Sequence, residues 1–163
     1  MDSDAPSRAG LIERLEAASV GSREFDADIQ DALFDCQIKR ERQILQPYVF
    51  HLGDGEWEVI PAYTTSIDAA LALKDRVLPG QAAALGDMAF EDAHQKPWAC
   101  IWTKGGSPDF HGYGQTPALA LCIATLKAYE TLARDGSGTQ GSTRVIATVT
   151  YAPTPPTTEH GEG

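Results

Sequence analysis

Three cysteines and four histidines are the side chains of this sequence with the most chemistry to offer. Their spacing decides how much of it is available. His51 and His111 fall in strand-like runs, His94 in the polar stretch AFEDAHQKP, and His160 close to the last residue. No H-E-x-x-H and no paired C-x-x-C occurs, so neither common zinc signature is present. Glu91, Asp92 and His94 make a small acid–imidazole cluster, which reads as a solvent-exposed polar loop before it reads as a ligand set. Cys100 and His111 could face each other across a hairpin as nucleophile and base. Nothing in the surrounding sequence would lower the thiol pKa, so Cys100, like Cys122, reads as a small core hydrophobe. These groups therefore yield no catalytic assignment, no metal ligand and no cofactor.

A second kind of chemistry belongs to the backbone. Gly112-Tyr113-Gly114 suggests a phosphate-binding G-x-G. It lacks both the third glycine of the dinucleotide fingerprint and the Gly-Lys-Ser/Thr of a P-loop. Two helix starts remain, at Thr64-Thr65-Ser66 and at Gln115-Thr116, each offering unpaired N–H groups and a positive dipole end. Simple capping explains each one alone. If both open on one side of a sheet, they form a seat for a small anion or a phosphorylated ligand, with Thr65, Ser66 and Thr116 as donors and Tyr63 or Tyr113 stacking on any ring. Trp98 and Trp102 share one face of a strand and could serve a ligand in the same way, or line the core.

The elements that would position these residues follow from caps and periodicity. Ser7 predicts a first helix with Leu11, Ile12, Leu15 and Ala18 on one face, and Ser22 a second with Phe25, Ile29, Ala32 and Leu33 inward. Residues 36–46 could prolong that helix or form a separate turn. Tyr48–Leu52 and Trp57–Ile60 read as a hairpin across Asp54-Gly55. Thr65 or Ser66 caps a helix over Ile67–Leu78 with Ile67, Ala70, Leu71 and Val77 inward and Lys74 to the side. Residues 81–95 read as a loop or short helix. Trp98–Thr103 alternates as a strand, and Phe110–Tyr113 should return antiparallel. Thr116 and Pro117 then open a long helix whose stripe is Leu119, Cys122, Ile123 and Leu126, with alanines filling much of the remainder. Arg144–Tyr151 is a last strand candidate.

With 163 residues, one domain is the natural expectation: a polar lead over 1–6, a folded unit over 7–151 and a tail over 152–163 too poor in apolar residues to order itself. The formal net charge of −10 argues against direct binding to nucleic acid through phosphates, which needs a Lys/Arg surface. Nine of the acids lie within residues 1–35 and read as a solvated helical face. The start MDSDAPSR has no apolar stretch and resembles no signal peptide. No run approaches the ~18 apolar residues of a membrane span. Three cysteines without close spacing suit a reducing compartment, so a cytoplasmic protein is expected.

The two helix openings also carry a resemblance. Tyr63, Thr64, Ser66, Asp68, Ala69, Ala70 and Leu71, followed by Thr116–Ala128 and preceded by Ser22–Leu33, resemble the phage ABA sandwich domain family of phage and prophage genomes. The resemblance implies a sheet layered between helices, no known reaction and a host-cell cytoplasmic setting. The expectation is thus an α+β fold, an antiparallel sheet of about four to five strands layered with helices in an α/β/α sandwich. Its role would be that of a non-catalytic phage or prophage accessory protein. It would bind a small anionic, nucleotide-like ligand or a host protein, as in counter-defence. The alternatives are a small hydrolase or transferase using Cys100, His94 or His111, and a homo-oligomeric or virion-associated module.

Overall fold

A computed structural model of the chain describes residues 7–34, 38–39, 49–51, 57–87, 96–103 and 109–134. Each of the four helices opens on the residue its sequence marks. Ser7 Oγ accepts from Gly10 N–H at 3.2 Å to start α1 (Arg8–Ala17), and Ser22 Oγ accepts from Phe25 N–H at 3.2 Å to start α2 (Arg23–Phe34). Ser66 Oγ accepts from Ala69 N–H at 3.3 Å to start α3 (Ile67–Val77). Thr116 Oγ1 accepts from Leu119 N–H at 3.2 Å ahead of α4 (Pro117–Arg134). Caps are local, each satisfying an N–H that the helix itself cannot, and so they read directly from sequence.

The strands form two three-stranded antiparallel sheets. The first joins β1 (Ile38–Lys39), β2 (Val49–His51) and β3 (Trp57–Val59), with Phe50 opposite Glu58 and Ile38 opposite Phe50. The second joins β4 (Ala82–Gly86), β5 (Trp98–Trp102) and β6 (Phe110–Tyr113) in chain order. The class is α+β, as expected, but each sheet is smaller than the single one anticipated. β1 shows that Ile38-Lys39 pairs as a strand and does not prolong α2. β4 replaces the loop or helix expected after residue 81. Its sequence AAALG has almost no intrinsic strand character, and pairing with β5 overrides that. The register explains the composition: Ala82, Ala84 and Gly86 lie opposite Trp102, Cys100 and Trp98. A side chain at Gly86 would come within 2.8 Å of the Trp98 indole nitrogen. Small residues here leave room for large ones across the ladder.

α4 is the hub of the core. Every residue from Ala118 to Leu126 is buried, and α4 packs on β4, β5 and β6 while α1 and α3 pack on α4. A helix apolar all round must be covered all round. The expected stripe of Leu119, Cys122, Ile123 and Leu126 is buried, and Ala120 and Ala124 beside it lie against β6. Contact with the sheet is close enough that a methyl group on Gly112 of β6 would sit 2.1 Å from Ala120 O. That packing accounts for the glycines flanking Tyr113, because a side chain at Gly114 would likewise meet Ala120 N at 2.8 Å.

Two expected faces are corrected. In α3 the buried residues are Ala70, Leu73 and Lys74, whereas Ile67 is 39% exposed. Lys74 lays its stem in the core and donates from its ammonium to Gln81 O at 2.7 Å, with Asp75 as ion partner. In α2, Ile29 and Leu33 are buried as expected, and so are Asp26, Asp28 and Gln30. The N-terminal acids are therefore not all a solvated face. The 1–6 lead, the turn at Gly53–Glu56, the cluster at Glu91, Asp92 and His94, the strand expected over Arg144–Tyr151 and the tail lie outside the described residues. No helix among the described residues is long and apolar enough to cross a membrane.

Candidate functional site

The starts of α3 and α4 open into one cleft of about 330 Å³. Thr64, Thr65 and Ile67 line it from the α3 side, Thr116, Pro117 and Ala118 from the α4 side, and Val20 and Gly21 of the α1–α2 connection close a third side. The two helix starts singled out by sequence thus come together. The residues expected around them are divided. Thr65 and Thr116 line the cleft. Ser66 adjoins it, with its hydroxyl engaged at the cap of α3. Tyr63 is 3% exposed and donates its hydroxyl to Gln30 Oε1 at 2.6 Å, so its ring belongs to the core. Tyr113 lies on the sheet, opposite Trp98, where His111 stacks on it at a centroid distance of 6.4 Å.

A buried polar clamp sets the shape of the cleft. The Asp26 carboxylate is fully buried in α2, and its Oδ1 accepts from Thr64 N–H at 2.8 Å and from the Thr64 hydroxyl at 2.7 Å. Its Oδ2 accepts from Arg23 at 2.7 Å, and the same guanidinium donates to Ile60 O. Ser22 N–H donates to Thr64 Oγ1 at 3.0 Å. The start of α2 is thereby tied to the segment leading into α3. Gly21 lies so close to that segment that a side chain there would meet Thr64 O at 2.3 Å. Among the described residues no buried side-chain nitrogen or oxygen lacks a partner. Sequence reading missed Asp26, and the only available signal was its position one residue after the apolar Phe25, on the turn capped by Ser22.

The charge environment differs between the two helix starts. α3 carries Asp68 in its first turn, which already complements the dipole. α4 has no acid in its first turn. Its start is the stronger of the two for an incoming anion.

The sheet's outer face holds the thiol–imidazole pair anticipated from sequence. Cys100 and His111 are directly opposed in the β5–β6 ladder, with Sγ and Nε2 3.8 Å apart. Burial, and then the charge of Asp109, push the Cys100 thiol pKa up. A nucleophilic cysteine needs the reverse. Cys122 is held in the same direction by full burial and secondarily by Asp26, and its thiol donates to Tyr63 O at 3.3 Å.

No protein-family model matches the chain, and comparison with curated proteins finds no match. The resemblance to the phage ABA sandwich family thus rests on the quoted residues alone. Among solved structures, the chain is similar to a phage protein from Bacillus cereus. Their TM-score is 0.45 and their identity 13%, over 80% of this chain and 94% of that one. So slight a likeness transfers neither fold nor role.

Proposed function

We propose that this chain is a non-catalytic binding protein, an accessory protein of the phage or prophage type, and that its ligand occupies the cleft between α3 and α4. The observation that supports this reading is the convergence of both helix starts, through Thr65 and Thr116, on one cavity of about 330 Å³. That volume lies at the small end of the range for small-molecule sites, roughly 300–1,000 Å³. The ligand that fits best carries one anionic group and a compact apolar part. The anion sits at the α4 start, where Ala118 N–H has no intrahelical acceptor. The apolar part rests on Ile67, Pro117 and Val20, which take the place foreseen for a tyrosine. An acidic protein holds an anion only through such local donors, because its overall field repels one.

A second occupant has its own observation. Val20 is 65% exposed and Ile67 39% exposed, both on the rim of the cleft, as befits a small apolar contact with a host protein. Calorimetry of the folded protein against a panel of nucleotides and cyclic nucleotides is the test. Binding that weakens in Ile67→Glu and Thr116→Ala, both checked for folding, sustains the small-ligand reading. If no nucleotide binds, that reading falls and the rim becomes the surface to probe with host proteins. Turnover of any panel member would instead bring forward the hydrolase or transferase alternative.

A further inference from the structure

The β4–β5–β6 sheet has two faces, and α4 occupies one of them. On the other, alternation brings Asp109, His111 and Tyr113 to the same side, with Cys100 directly across the ladder from His111. One donor atom from each of Cys100, Asp109 and His111 falls within 4.8 Å of the other two. Cys100 is 2% exposed, while Asp109 and His111 are open to solvent.

We propose that Cys100, Asp109 and His111 form a three-ligand site for one zinc-like divalent cation. Geometry supports the assignment. Zinc bonds of about 2.3 Å to sulfur and 2.0–2.1 Å to nitrogen, at a tetrahedral angle, place the two donors ~3.5 Å apart. The observed separation of 3.8 Å closes to that value with a small side-chain adjustment. The cross-strand register holds the sulfur and the imidazole on rigid backbone, and stacking on Tyr113 restrains the ring. The donor set selects the metal: thiolate with imidazole suits zinc or cobalt, whereas magnesium and calcium require oxygen ligands throughout. Three protein ligands leave a fourth corner for a water. The cysteine–histidine separation of eleven residues matches no familiar metal signature, which is why the ladder shows the site and the sequence does not.

The test uses the whole chain, reduced and stripped with a chelator, then titrated with Zn²⁺ against a chromophoric competitor and separately with Co²⁺. The expected result is one ion per chain and a cobalt spectrum with a sulfur-to-metal charge-transfer band and strong tetrahedral d–d bands. Cys100→Ser should abolish that band. His111→Ala and Asp109→Asn should each weaken Zn²⁺ binding by roughly tenfold or more. Both of the latter positions are exposed, so their metal-free melting should match the parent, and Zn²⁺ should raise the thermal midpoint of the parent more than that of either variant. Four results would each overturn the site: no stoichiometric binding, a weak octahedral cobalt spectrum without the band, a band that survives Cys100→Ser, or unchanged affinity in either exposed variant.

Discussion

Replacing Asp26 by Ala tests the most consequential polar group in the protein. The carboxylate accepts three hydrogen bonds, from Thr64 N–H, the Thr64 hydroxyl and Arg23, all between 2.7 and 2.8 Å. Bonds to a charged acceptor contribute about 1.5–3 kcal/mol each, so their gross sum is large. Two parts of it are recovered in the variant. Arg23 is one-third exposed and returns to water, and the Thr64 hydroxyl can turn to Ser22 O, 3.2 Å away. The Thr64 N–H has no such refuge, and a buried donor left without its acceptor costs about 1–3 kcal/mol. With a urea dependence of about 2 kcal/mol per molar, the denaturation midpoint should fall by roughly 0.5–1.5 M. Thr64→Val removes the hydroxyl and keeps the N–H, so it should cost less, and the double variant should be milder than the sum of the singles. A midpoint shift below about 0.5 M in Asp26→Ala would show that the clamp does not hold the two segments together, and the account of the cleft's shape would fall with it.

Two further outcomes follow from packing. Gly112→Ala drives a methyl group to 2.1 Å from Ala120 O and 2.6 Å from Ala124 N, so α4 must lift off β6. The cost should be about 1–3 kcal/mol, read as a thermal midpoint lower by several degrees, and melting within about one degree of the parent would contradict the close approach. Cys122, buried with its thiol pKa raised, keeps its proton in the native state at pH values where an unfolded cysteine, near ~8.5, has lost it. The unfolded state then binds fewer protons, so this contribution to stability is complete below about pH 8 and declines as pH rises beyond it. Urea midpoints measured across alkaline pH should fall less steeply in Cys122→Ala than in the parent, and parallel slopes would refute the assignment.

What could be read in the sequence was what local chemistry decides. Ser7, Ser22, Ser66 and Thr116 mark helix starts because a cap depends on neighbours three residues away, and the α4 stripe is visible because its period is its own. β4 was hidden because its alanines and glycine answer to Trp98 and Trp102 across the ladder. Lys74 and Asp26 were misplaced for a related reason: a charged side chain is counted as exposed until its partner is known, and here the partners are Gln81 O and Thr64. The meeting of Thr65 with Thr116 was an expectation conditional on topology. The division between the tyrosines, one in the core and one on the sheet, depends on which way each ring turns, and no periodicity records that.

The central position of α4 bears on how the chain is made. α1, whose buried residues are Leu11, Ile12 and Leu15, packs against α4, whose first residue, Pro117, follows the end of α1 by about a hundred residues. At about 5–20 residues per second, a ribosome needs roughly 5–20 s to deliver that partner. Until it emerges, the apolar side of α1 has α2 as its neighbour among the described helices made so far, and β6, which ends four residues before Pro117, lacks the helix that packs on Gly112. Assembly of the core therefore waits for one of the last described segments to emerge, and a nascent chain stalled before Pro117 is a natural client for a chaperone that holds apolar surface.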